Sequence, residues 1–315
     1  MLDNIDPIPI SNVISALLDN NQPFPRQYLH IFSDMAQKDL DEIRGVWENI
    51  SVIRKVNLLA DLEILLESDT LLAFDDFAKL ALTDIDPNVR SKAISLLWES
   101  DDSQLAEVFT QILEVDQSEA VQISAAAALG KYILLGELDE IPPRLAEKVK
   151  DTLLGIFQTN PVKEIQQEIL KSLSYANLPK ITRMITTAYN NPDPSWQLTA
   201  IIAMGRSADE RWEKTILDMI NSSSLPHQIE AVKAAGELEI SEAKLPLINL
   251  LHSPDSDVEL RFQIIWSLSK IGGEDVKDTL IQILETTDSD DEIDVIEMAL
   301  ENLEFSDGLP SLDIF

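Results

Sequence analysis

The sequence predicts an all-α solenoid, about eight helix pairs wound into a curved right-handed superhelix. Three observations carry that expectation: apolar residues recur at helical spacing, alternating strand-like runs are scarce, and a helix-turn-helix unit returns at a near-constant period.

Residues 1–38, punctuated by Pro7, Pro9, Pro23 and Pro25, read as an irregular N-terminal segment and cap. A repeat array is expected over 39–304, and an acidic tail over 305–315. The clearest copy begins at Asp86, where a Pro-containing turn leads into Val89, Arg90, Ala93, Ile94, Leu96 and Leu97. Anchored on the first apolar position, the copies start at Ile53, Val89, Val121, Ile165, Trp196, His227, Leu260 and Ile293, in steps of 36, 32, 44, 31, 31, 33 and 33. Five residues beyond the anchors stand Leu58, Ile94, Ala126, Leu170, Ile201, Val232, Ile265 and Met298, all apolar and all expected to pack between repeats. Another amphipathic stretch precedes each copy, so the unit is helix, turn, helix. The long step of 44 is absorbed by the stretch from Lys131, which extends one helix and its following connection. An Asp or Ser three residues before the anchor can cap the second helix, and Pro87 and Pro194 fit its first turn.

One position beyond the anchors stand Arg54, Arg90, Gln122, Gln166, Gln197, Gln228, Arg261 and Asp294. Together with the turn residues Asp86, Asp193, Asp257 and Asp290, the small Ala93, Ala125, Ala200 and Ala231, and Gly130, Gly205 and Gly236 near helix ends, this pattern resembles the HEAT repeat family. It is similar in particular to the short bacterial members described as HEAT-like phycobilin-lyase repeats, over roughly residues 40–304. The resemblance implies that the Arg or Gln reaches the turn Asp of a neighbouring repeat, making a structural ladder. It also implies that the second helices line a concave inner surface.

Composition narrows the function. With 24 Lys and Arg against 56 Asp and Glu, the formal charge is −32, which opposes a phosphate backbone and argues against nucleic acid. No cysteine is present, so thiolate chemistry is excluded. No signal sequence or membrane-length apolar run is seen, and a cytoplasmic protein without membrane insertion is expected. No GxSxG, GxxxxGK[ST] or GxGxxG occurs, and none of His30, His227 and His252 sits in HExxH. The acidic run from Asp288 has Ile293 and Ala299 where a calcium loop needs Gly and Glu. No catalytic residue, metal or cofactor is expected.

Positions three, six and ten beyond the anchors should face away from the packed stripe. Over six central repeats they hold six basic and four acidic residues, a net of +2 in a strongly acidic chain. The binding candidates among them are Lys92, Lys131, Lys171, Tyr175, Ile202, Arg206, Lys233, Trp266 and Lys270. The expected function is a non-catalytic scaffold or adaptor that takes a protein or peptide along this face. The resemblance also admits a lyase or chaperone subunit handling a tetrapyrrole or its carrier protein, and a nucleic-acid-binding repeat protein.

Overall fold

The computed structural model describes residues 8–308 apart from Thr70, Glu99 and 254–256, with side chains as far as Phe305. Most of the expected tail over 305–315 therefore lies outside the described residues. Among the described residues there are seventeen α-helices and no strand. The chain divides into two compact units, Met1–Ser172 and Leu173–Phe315.

The first unit opens with α1 (Ile10–Leu18), which buries Val13 and Leu17, and a 3-10 turn over Arg26–Phe32. Four helix pairs follow: α2 (Gln37–Val46) with α3 (Val52–Ser68), α4 (Asp75–Ala81) with α5 (Pro87–Leu96), α6 (Leu105–Val115) with α7 (Glu119–Glu137), and α8 (Pro143–Thr159) with α9 (Lys163–Leu173). The 3-10 turn places Phe32 against Phe77 at 4.6 Å between ring centroids, and Trp47 meets the same ring edge-on at 5.6 Å. These aromatics close the first repeat. The second unit holds α10 (Pro179–Tyr189) with α11 (Pro194–Arg206), α12 (Glu213–Met219) with α13 (Leu225–Glu237), α14 (Lys244–Leu251) with α15 (Val258–Ile271), and α16 (Glu274–Leu284) with α17 (Asp290–Gly308).

Within each unit the second helices pack on one another, α3 on α5 on α7 and α11 on α13 on α15 on α17, while first helices pack on their own partners. The reason lies in the stripe each second helix presents. In α5 it is Val89, Ala93, Ile94, Leu96 and Leu97, and in α15 Leu260, Ile264, Ile265 and Leu268, all buried. Asp86, Asp193 and Asp257 cap their helices through the backbone N–H two residues on, at 2.8, 2.9 and 2.9 Å.

The expected repeat fails at both ends of the array. Ile53 is 75% exposed, whereas Lys55, Leu58, Leu59 and Leu62 are buried. The packed stripe of α3 is therefore shifted by one residue, with Arg54 in the anchor place. In α17 the buried residues are Glu292, Ile296, Ala299 and Leu303, and Met298 is 60% exposed instead of packed. A terminal helix has a neighbouring repeat on one side only, so its apolar residues need satisfy fewer contacts.

Gly205 and Gly236 stand one residue before the ends of α11 and α13, as expected, whereas Gly130 lies well inside α7. A Cβ on Gly205 would come to 2.9 Å from Ala234 Cα, and one on Gly236 to 2.8 Å from Ser267 Cα. Each glycine sits nine residues after its anchor and faces the residue seven after the next anchor. Gly130 and Ser172 repeat the relation. These glycines let neighbouring second helices approach closely, which is the physical reason for their spacing.

Candidate interaction face

Polar residues beside the packed stripe do two different jobs, and only one leaves a surface to bind with. Beside the stripe runs the ladder. Arg90 donates to both carboxylate oxygens of Asp116 at 2.8 Å and to the carbonyls of Asp84 and Ile85 at 2.8 and 3.0 Å. It thereby joins its own turn to that of the next repeat. Arg261 does the same with Glu292 and the Leu251 carbonyl. In the first repeat the role falls to Lys55, which donates to Asp84 at 2.7 Å beneath the Trp47 ring. Trp47 Nε1 donates to the same carboxylate oxygen at 2.7 Å.

The expected ladder is corrected in three ways. Arg54, displaced by the shifted stripe, instead reaches back to the carbonyls of Asp19 and Gln22 and lies over the Phe24 ring. Gln122, Gln166 and Gln228 donate to carbonyls of their own repeat, at Leu113, Phe157 and Ile220, because a neutral amide is short and has no call on a distant carboxylate. Gln197 stays half-buried beside its stripe. The capping Asp86 and Asp257 are also not the ladder acceptors. Those are Asp84, Asp116 and Glu292, and Asp290 only begins α17. Sequence reading missed them, although a signal existed. Five residues before an anchor, Asp84, Asp116, Asn160, Asn191 and Ser222 each accept the N–H two residues on, at 2.8 to 3.2 Å.

Burial alone would raise the Asp84 carboxyl, yet the bonds from Lys55, the Asp86 N–H and Trp47 outweigh it and hold the group below the usual carboxylate range. Asp116 follows suit through Arg90 and the Ser118 N–H, and Glu292 through Thr287 and Arg261, again against burial.

The outward positions form the candidate face, and the nine named residues divide between internal work and open surface. Lys92 is salt-bridged to Glu63 at 2.7 Å, and Lys131 donates to the carbonyls of Trp98 and Ser100 in the turn that follows α5. Lys171 pairs with Glu168. These three cations of the first unit are committed to the fold, so the expected basic character is not carried there. Glu99, also on the predicted lining, lies outside the described residues. In the second unit Ile202 is half-buried on α11, and Arg206 lies over the Tyr175 ring at 5.5 Å. Lys233 and Lys270 are exposed and make no salt bridge among the described residues. Between them Glu237 is half-buried, and burial raises its pKa against the pull of Lys233, Lys270 and Arg206.

Trp266 borders a feature that spacing alone did not disclose. A cavity of about 660 Å³ opens between α15 and α17, lined by Val258, Phe262, Gln263, Trp266, Val295 and Met298, with Asp257 and Glu259 at its rim. Val258 is 63% exposed, so the groove presents apolar surface to solvent. His227 is buried, with Ser224 Oγ and the Pro194 carbonyl on its two ring nitrogens, which is a packing role. Among the described residues no group of His, Cys, Asp or Glu could hold a metal ion, and no helix is long and apolar enough to cross a membrane.

Stacked helix pairs, cross-linked turns and an exposed second-helix face define a helix-pair repeat scaffold. The chain belongs to the HEAT repeat family, whose model matches residues 74–174 and 213–301. No curated protein matches the sequence. Similar solved structures include the Escherichia coli protein YibA, 12% identical with a TM-score of 0.45, covering 91% of this chain and 98% of that one. They also include the complex of CpcE and CpcF of phycocyanin lyase from Nostoc, 17% identical with a TM-score of 0.46, covering 73% and 94%. Human deoxyhypusine hydroxylase is 14% identical with a TM-score of 0.37, covering 94% and 96%.

Proposed function

We propose that this chain is a non-catalytic adaptor that binds a protein or peptide along the second-helix face of its second unit. The observation that carries the reading is the open apolar groove between α15 and α17, floored by Phe262 and Trp266. An aromatic side chain in a groove offers a large contact area at little entropic cost, which is the composition of interface centres. One turn beyond Trp266 on α15 stands Lys270, exposed like Lys233 on α13, and neither makes a salt bridge among the described residues. Three carboxylates with lowered pKa values, Asp84, Asp116 and Glu292, are bound into the ladder, which supports binding over catalysis.

The test is affinity capture from the native source with wild-type protein and a Trp266→Ala, Met298→Ser double variant, quantified by mass spectrometry. Partners that depend on this face should fall at least tenfold in the variant's eluate. An unchanged partner profile would remove the face as the binding surface.

A further inference from the structure

Along α15, Val258, Phe262, Trp266 and Lys270 stand at i, i+4, i+8 and i+12, one stripe about 18 Å long at 1.5 Å per residue. Its two ends differ in chemistry. The end at the start of α15 is apolar, with Val258 and Met298 exposed, and its rim carries the carboxylates of Asp257 and Glu259. At the other end Arg206, Lys233 and Lys270 lie near the carboxylates of Glu237 and Glu230, three cations against two anions. Lys233 and Lys270 are exposed cations in a chain of net charge −32.

We infer that this stripe docks an extended acidic peptide, with a bulky apolar side chain at the Val258 and Met298 end of the groove and a run of carboxylates over Lys233 and Lys270. The inference rests on the adaptor reading and adds to it the chemistry and orientation of the partner. At about 3.3 Å per residue, 18 Å is spanned by five or six extended residues, so the apolar side chain and the acidic run should be about five positions apart. Orientation follows from charge. An acidic run at the groove end would face Asp257 and Glu259, while at the far end it meets Lys233 and Lys270, which make no salt bridge among the described residues. A basic peptide meets the reverse arrangement and is repelled where the acidic one is held.

The test uses the full chain and three fluorescein-labelled twelve-residue peptides in anisotropy titrations. One carries two leucines followed, five positions on, by four glutamates; the second reverses that order; the third replaces the glutamates with lysines. At least one glutamate peptide should bind tenfold or more tightly than the lysine peptide, and its affinity should fall as salt rises. Lys233→Glu with Lys270→Glu, both at exposed positions, should cut that affinity at least tenfold, and Lys233→Gln with Lys270→Gln by less. If the lysine peptide binds as well or better, or the charge reversal changes nothing, the acidic partner is overturned. Should all three bind alike and lose affinity with Met298→Ser, the groove docks peptides without charge selection, and only the adaptor reading survives. Binding of none overturns both.

Discussion

Asp84 receives Lys55, Trp47 and a backbone N–H in a nearly buried site. Both ionised side chains of the pair are at most 5% exposed. A charge left alone there loses its partner while little of it meets solvent. Replacing Asp84 with Asn should therefore cost about 3–5 kcal/mol, while Lys55→Met with Asp84→Leu together should cost much less. Thermal melting of the three variants checks this, and equal losses in the single and double variants would refute it. The same pairs set the acid limb of stability. Asp84, Asp116 and Glu292 have pKa values lowered in the fold, so their contribution is present above about pH 4, their unfolded range, and is lost as pH falls through the folded values. Glu237 has the opposite sign. Its raised folded value means that its contribution is present below the unfolded pKa and is lost as pH rises through the folded one. Glu237→Gln should accordingly raise the melting temperature more at about pH 8 than at about pH 5; a shift equal at both would contradict the burial argument.

At the scale of helices, the repeat is held by small residues where second helices meet. A methyl group on Gly236 would intrude on Ser267 backbone, and the neighbouring helix must move to admit it. Gly236→Ala is predicted to destabilise by about 1–3 kcal/mol. By contrast, Gly155 lies exposed inside α8 with open space around its Cβ direction, and Gly155→Ala should stabilise by about 0.5–1 kcal/mol. Opposite signs in parallel denaturation curves would confirm that close approach, not helix ending, selects these glycines. The central helices were legible in sequence because Val89, Val121, Ile165 and Leu260 each begin a stripe packed between two neighbours. At the ends the same signal misleads: Ile53 and Arg54 fit two alternative stripes, and only tertiary packing selects between them. The face was half legible. Spacing found the outward positions, but Lys92 is paired with Glu63 and Lys131 is held by the carbonyls of Trp98 and Ser100, partners set by the contact between repeats and invisible along one helix.

For the molecule as a whole, charge and surface are unevenly shared. Its net charge of −32 keeps like molecules apart in solution and weakens approach to any polyanion. Against that background a groove with cations at one end is a local exception, and the adaptor account depends on it. Hydrogen exchange of the chain in complex with a partner captured from its native source tests the account most directly. Binding should slow exchange over 225–237, 258–271 and the first three turns of α17, and leave α12, α14 and α16 unchanged. Protection confined to the first helices of the pairs, or absent from α15, would contradict it.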